Sequence, residues 1–233
     1  ALNMDLARTM VRAVEKAGVK SQVGYCSRFA YGVEEAGRLV ESGEAGDLGL
    51  ALGWYWCHFL GEGWWRDRNK SGGQIVEQST HVFDILRHLC GEVEVTYGQM
   101  SKVFWTDIPE LTMEDVNSST FRFKSGAVGS VVATTWGVPS QWWWRWLIAS
   151  RSYTMYSETP ATLTLYSTRT PPRTTTVSEE RDVFLLEARD LVQAVLEDRD
   201  TRIPVQEGAK TLEFTLAVKQ SMETGEPVRL PLA

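Results

Sequence analysis

Asn117-Ser118-Ser119-Thr120-Phe121-Arg122-Phe123-Lys124-Ser125-Gly126-Ala127-Val128-Gly129-Ser130-Val131-Val132-Ala133-Thr134-Thr135-Trp136 reads as two strands, Asn117 to Lys124 and Ala127 to Trp136, joined by a Ser-Gly turn. The β pattern extends outward from it. Val93 to Trp105 precedes it, and Trp142 to Ser150, Tyr153 to Ser157 and Thr162 to Ser167 follow, separated by Pro-containing or turn-like breaks. Two helical segments, about Glu179 to Asp198 and Gln206 to Thr224, close the chain. A run of strands followed by a run of helices predicts an α+β fold: one large, mostly antiparallel sheet with helices on one face.

Upstream, Leu48 to Phe59 reads as a strand rich in Trp and Tyr, and Gly61 to Gly73 as a charged, Gly-rich loop. Gln78 to Leu89 has helical period, with Val82, Ile85, Leu86 and Leu89 apolar. Val33 to Glu41 reads as a short helix ended by Ser42-Gly43. The chain opens on a helix, Asn3 to Lys16. Asn3 caps it, Asp5 suits the positive dipole end, Leu6, Met10, Val14 and Ala17 form a stripe, and Gly18 ends it. Val19 to Tyr25 reads as the strand after it. One helix and one strand cannot hide both apolar faces alone, so the expectation is a fragment whose front portion is absent.

At 233 residues and 43% hydrophobic content, the chain can bury a substantial core in one or two domains. A formal net charge of −6 argues against a nucleic-acid or anionic-membrane partner, since those attract clustered Lys and Arg. Cys26, Cys57 and Cys90 are widely spaced and odd in number, which indicates neither a disulfide framework nor a zinc site and fits a reduced cytoplasm. No stretch approaches the roughly 20 apolar residues of a membrane span.

The sharpest constellation is Ser71-Gly72-Gly73-Gln74-Ile75-Val76-Glu77-Gln78-Ser79-Thr80-His81-Val82-Phe83-Asp84. With Glu77 and His81 on the first helical turn, carboxylate and imidazole are i, i+4 and share a face, where the carboxylate can orient the ring. A histidine so placed passes protons near neutral pH. The competing reading is that His81 satisfies a backbone group beneath the sheet.

The Gly pair, a carboxylate four residues before a His, and an Asp three after it, leading into Leu86-Arg87-His88-Leu89-Cys90-Gly91-Glu92, resemble the signature of the Gfo/Idh/MocA family of NAD(P)-dependent oxidoreductases. Val19-Lys20-Ser21-Gln22-Val23-Gly24-Tyr25 with Arg28-Phe29, Glu41-Ser42-Gly43-Glu44-Ala45-Gly46, Trp65-Arg66-Asp67, Phe123-Lys124-Ser125-Gly126-Ala127 and Thr224-Gly225-Glu226-Pro227-Val228 are similar to it as well. The resemblance spans nearly the whole chain. It implies a Rossmann cofactor domain, of which residues 1–25 would be the C-terminal remnant, and an α+β substrate-binding and oligomerising domain over 26–233. It implies hydride transfer between a sugar, cyclitol or related polyol and NAD or NADP, with a Lys from a Glu-Lys-Pro motif and the His handling the hydroxyl proton. Carried onto this chain, His81 is the acid/base and Glu77 stands where many members have Asp.

The chain has neither Glu-Lys-Pro nor a G-x-G-x-x-G after a strand, so it is expected to bind no NAD(P) tightly and to be inactive alone. Lys70 near the Gly pair is a weak replacement base; a solvated loop position is the competing reading. Tyr25 and Ser27 follow the strand that would end at the nicotinamide and are cofactor-binding candidates. Arg28 is a substrate-binding candidate, with a salt bridge as its alternative. Trp65 and Arg66 could shape a sugar pocket, or simply pack the loop. No metal ligands are expected.

Trp142-Trp143-Trp144-Arg145-Trp146 places large aromatics on both faces of a strand. Helices are expected on one face and a second subunit on the other, giving a homo-oligomer. Two function classes follow: the substrate-binding portion of a sugar or polyol oxidoreductase, or a non-catalytic carbohydrate-binding or regulatory module, to which the ten tryptophans also point.

Overall fold

The computed structural model describes residues 1–232. Helix α1 (Met4–Ala17) starts where the Asn3 side chain accepts the Leu6 amide at 2.9 Å and stops at Gly18, whose φ of 64° is left-handed. A single 3₁₀ turn (Cys26–Phe29) leads into α2 (Tyr31–Glu41), and β1 (Leu48–Cys57) follows. After a second 3₁₀ turn (Gly63–Arg66) come three helices: α3 (Arg68–Ser71), α4 (Gln74–Glu77) and α5 (Thr80–Cys90). The strands are then β2 (Val93–Ser101), β3 (Val116–Phe123), β4 (Val128–Thr134), β5 (Trp142–Ser150), β6 (Tyr153–Ser157), β7 (Thr162–Ser167) and β8 (Thr174–Ser178). Helices α6 (Val183–Leu196) and α7 (Val205–Thr224) and the short β9 (Val228–Arg229) complete the chain.

The nine strands form one sheet in the order β8-β7-β6-β5-β1-β4-β3-β2-β9. Only β1 and β4 run parallel; every other neighbouring pair is antiparallel. Helix α2 lies against β6 to β8, α5 against β1 and β5, and α7 against β2, all on one face. The α+β layout expected from the sequence is therefore the one observed. On that face Phe83, Phe121 and Phe214 meet edge to face, with centroids 4.9 Å apart for Phe121–Phe214 and 5.0 Å for Phe83–Phe214. Gly53 sets how closely α5 approaches β1, since a Cβ there would stand 2.3 Å from Val82 Cγ1.

Four elements depart from the sequence reading. Residues 19–25 form no strand: a strand needs a laddered neighbour, and this stretch has only single bonds, such as Val23 N–H to Ile203 O at 2.9 Å. The helix expected over Gln78 to Leu89 is α5, which starts at Thr80 and is separated at Gln78-Ser79 from the short α4 before it. There the Ser79 amide bonds to Gln74 O at 3.1 Å, Ser79 Oγ donates to Gln74 Oε1 at 3.2 Å, and Asn117 Nδ2 donates to the same oxygen at 2.7 Å. Strands β8 and β9 are the other two; one is a Thr-rich edge and one is two residues long, too weak a pattern to read.

Within the helical layer a buried ionic network ties separate segments together. Arg28, within the first 3₁₀ turn, forms a bidentate pair with Asp84 of α5 at 2.7 and 2.6 Å, both side chains buried. Thr211 of α7 donates to Asp84 Oδ1 at 2.7 Å and accepts from Arg87 at 3.0 Å, and Arg87 also pairs with Glu92 at 2.6 Å and Glu207 at 2.7 Å. Burial pushes the Glu207 carboxyl up, but bonds from Lys210 and Arg87 outweigh it and hold it down at about 2. Breaking a buried pair leaves one charge uncompensated. Arg28→Met should therefore lower unfolding free energy by about 3–5 kcal/mol in urea denaturation. Arg28→Met with Asp84→Leu should recover at least about half of that loss, because replacing both partners leaves no orphaned charge.

Candidate active site

At the helix-side end of the sheet lies a cavity of about 180 Å³. Strand β5 presents Trp142 and Trp144 to it, and β1 presents Tyr55, which pairs with Trp144 in the sheet register. His81 at the start of α5 and Cys26-Ser27 on the 3₁₀ turn supply the opposite side. Phe184 of α6, 70% exposed, stands at the rim. Alternation along β5 sends Trp142, Trp144 and Trp146 toward the helices, and Trp146 is buried in the core. Trp143 and Arg145 lie on the open face, where the guanidinium sits 3.9 Å over the Trp143 ring.

His81 meets the Tyr25 ring edge-on at 5.9 Å, and its Nδ1 is buried with no hydrogen-bond partner among the described residues. Burial lowers its pKa from the usual 6.5 against the opposing charge of Asp84, so the ring is neutral at pH 7. Ser27 is fully buried, and its Oγ is likewise without a partner. Tyr25 shares a hydrogen bond of 3.1 Å with Thr80 Oγ1, and burial pushes its hydroxyl up to about 12. Burial also raises Cys26, to about 11, and Tyr55. Every titratable group on the cavity wall is therefore uncharged at neutral pH.

The break at Gln78-Ser79 changes the expected role of Glu77. It lies on α4 rather than on one helical face with His81, and its Oε2 accepts the Trp65 indole N–H at 2.6 Å. The carboxylate thus orients the loop tryptophan and does not orient the imidazole. Burial raises the Glu77 pKa, opposed by the Trp65 bond. Trp65 is buried in a small cluster with Leu111 and Met113. Arg28 is committed to Asp84, the salt-bridge alternative rather than the substrate-lining one. Arg66 donates to Gly61 O at 2.7 Å and pairs with Glu110, and Lys70 is an exposed residue of α3, 3.4 Å from Asp67. Of the sequence candidates, Ser27 and His81 share the cavity and Tyr25 touches it through His81; Arg28, Arg66 and Lys70 do not line it.

Sequence reasoning missed Tyr55, Cys26 and Phe184 as site residues and read Trp142 and Trp144 only as packing. The alternation of β5 grouped the two tryptophans, but only the β1–β5 register shows that Tyr55 stands beside them.

No cluster of His, Cys, Asp or Glu among the described residues could hold a metal ion, and no helix among them is long and apolar enough to cross a membrane. The Gly72-Gly73 turn does not fit the pyrophosphate of a dinucleotide. The Gly72-Gly73 turn before α4 faces Glu114, whose Oε2 would lie 2.8 Å from a Cβ on Gly73, and that carboxylate would repel a pyrophosphate.

A one-sided helical layer, a sheet with one open face and a histidine pocket at its end define the class: an α+β domain built on one large, mostly antiparallel sheet. The family model for the GFO/IDH/MocA C-terminal domain matches residues 33–152, slightly more than half of the chain. The chain belongs to this family of oxidoreductases. It is 26% identical over 151 residues to 2,7-anhydro-N-acetylneuraminate hydratase of Escherichia coli (strain K12), covering 61% of this chain and 38% of that protein. The chain thus spans well under half the length of that relative. Levoglucosan dehydrogenase, solved in complex with NADH and levoglucosan, superposes with a TM-score of 0.90 at 19% identity, over 100% of this chain and 72% of that one. Aldose-aldose oxidoreductase from Caulobacter crescentus, complexed with glycerol, gives a TM-score of 0.84 at 21% identity, over 99% of this chain and 70% of that one. At such identities the likeness is one of fold.

The lowered His81 pKa has a definite sign in stability. The folded state prefers the neutral ring, so its contribution is full above pH 6.5 and is lost as pH falls through the lowered folded value. An NMR titration of the His81 ring should give a midpoint below 6.5, and His81→Gln should flatten the acid side of the stability–pH curve.

Proposed function

We propose that this chain is the substrate-binding and oligomerising portion of an NAD(P)-dependent oxidoreductase acting on a sugar or polyol. In this reading residues 1–25 are the end of a cofactor domain and 26–233 form the substrate domain. The observation that carries it is His81: a neutral imidazole on the wall of a cavity that Trp142, Trp144 and Tyr55 also line. Aromatic faces take the C–H face of a sugar ring, and a neutral imidazole accepts a hydroxyl proton. Family membership supports the redox class, and the printed names of levoglucosan dehydrogenase and aldose-aldose oxidoreductase support a sugar. The hydride acceptor in this reading is a nicotinamide. Ser27 and Tyr25 border the side of the pocket from which it would approach. Glu77 acts here through Trp65, as a positioning residue for the loop.

The open sheet face supports the oligomer. Leu52, Trp54, Trp56 and Val132 lie there beside Trp143 with no helix over them, and Trp56 stacks on Trp143 at 6.1 Å. A soluble chain seldom leaves such an area bare.

In the protein expressed from the complete gene, turnover of sugars and polyols followed by NAD(P)H absorbance tests the activity. His81→Ala should reduce kcat by about 10²–10⁴-fold with the melting temperature retained. Absence of any nicotinamide-dependent turnover, with sugar binding retained, would leave the carbohydrate-binding module as the reading. Light scattering at micromolar concentration should give a dimer or larger, and Leu52→Glu should shift it to monomer; a purely monomeric unsubstituted protein would contradict the oligomer.

A further inference from the structure

The His81 ring is not anchored through Nδ1, which has no hydrogen-bond partner among the described residues. Where the imidazole stands therefore follows from where its backbone stands, at the second residue of α5. The two residues just before that helix, Gln78 and Ser79, are buried, and side chains tie both of them down. The Cys57 thiol of β1 donates to Gln78 Oε1 at 3.9 Å. Ser79 Oγ donates to Gln74 Oε1 at 3.2 Å, and Asn117 Nδ2 of β3 donates to that same oxygen at 2.7 Å. The Ser79 carbonyl then accepts the Val82 amide at 2.9 Å and so closes the first turn of α5. A chain of bonds thus runs from the sheet, through Asn117, Gln74 and Ser79, to the start of the helix that carries His81.

This trio is a poor way to gain stability. Gln74, Ser79 and Asn117 are all buried, and the far ends of both amides, Gln74 Nε2 and Asn117 Oδ1, have no partner among the described residues. Apolar side chains in their place would leave no unpaired atoms. Local rules broken in this way cluster where function needs a fixed geometry. We propose that Asn117 is a positioning residue: through Gln74 and Ser79 it fixes where α5 begins, and hence where the imidazole of His81 meets the cavity. The inference rests on His81 as the acid/base of the proposed reaction and adds to it a residue outside the cavity wall. The β3 backbone is laddered to Met100 of β2 and Ala133 of β4, so the strand keeps its place when the Asn117 side chain changes. Without the Asn117 bond, Gln74 Oε1 keeps Ser79 alone and the link to the sheet is lost. Misplacing a reacting group by about 1 Å costs on the order of a hundredfold in rate.

The test compares Asn117→Leu with the unsubstituted protein, both expressed from the complete gene. Leucine removes one hydrogen bond together with one unpaired buried oxygen, so the melting temperature should be unchanged or higher. The decisive readout is the NMR titration midpoint of the His81 ring, which burial lowers against the charge of Asp84; Tyr25, Cys26 and Tyr55 are the other titratable groups around it. In Asn117→Leu that midpoint should rise toward 6.5 as the ring leaves its seat. With a sugar or polyol that the protein turns over, kcat should fall about tenfold or more while KM stays within about threefold. Should Asn117→Leu not fold, Ser79→Ala removes the other bond to Gln74 Oε1 and is read in the same way. An unchanged midpoint in a folded variant overturns the inference, whatever kcat does. A shifted midpoint with unchanged kcat overturns it too, since the ring would then move without consequence for the reaction. Absence of turnover by the unsubstituted protein overturns the oxidoreductase reading instead, and the midpoint alone then decides whether Asn117 places the ring.

Discussion

The pairing of Arg28 with Asp84 fixes the geometry on which the rest of the helical layer and the site depend. Both carboxylate oxygens are occupied by one guanidinium at 2.6 and 2.7 Å, in surroundings where water cannot substitute. Such a pair contributes little net stability against an apolar replacement, but it defines orientation, because both partners lose heavily if they part. It locks the 3₁₀ turn to α5. Ser27 precedes Arg28 by one residue, and His81 precedes Asp84 by about one helical turn, so a bond outside the cavity sets where both residues stand along its wall. Thr211 and Arg87 extend the restraint to α7, which in turn covers β2.

The sheet divides the molecule into two surfaces with different chemistry. On the helix side the inward residues of β1 are Ala51, Gly53, Tyr55 and Cys57; Gly53 lets α5 approach the strand closely, and Tyr55 lines the cavity with His81. On the other side the same strand shows Leu52, Trp54 and Trp56 with no element over them. One strand thus serves both a site and an apolar surface, and period-two alternation alone keeps the two apart.

Much of this was legible in the sequence, for reasons that particular residues make plain. The β5 boundaries, Trp142 to Ser150, follow from an aromatic run between turn residues, and α1 from its Asn3 cap and Gly18 stop. His81 stood out because it follows a Gly pair and a carboxylate at helical spacing. The same spacing misled about Glu77: a four-residue interval implies a shared face only if the helix is continuous, and here α4 ends before α5 begins, with Gln74, Ser79 and Asn117 of β3 joined by side-chain bonds across the break. Arg28 looked equally like a ligand group and a salt bridge, because its partner lies 56 residues away in sequence.

The sequence by itself determined the α+β class, the strand-then-helix order, the family and the histidine, since these depend on local periodicity, capping and motif spacing. Tertiary structure alone decided which arginines are free and which are spent, that Tyr55 joins Trp142 and Trp144, and that the pocket is without charge. Those features depend on strand register and on long-range burial, where a group's environment comes from segments distant in the chain and no local pattern records it.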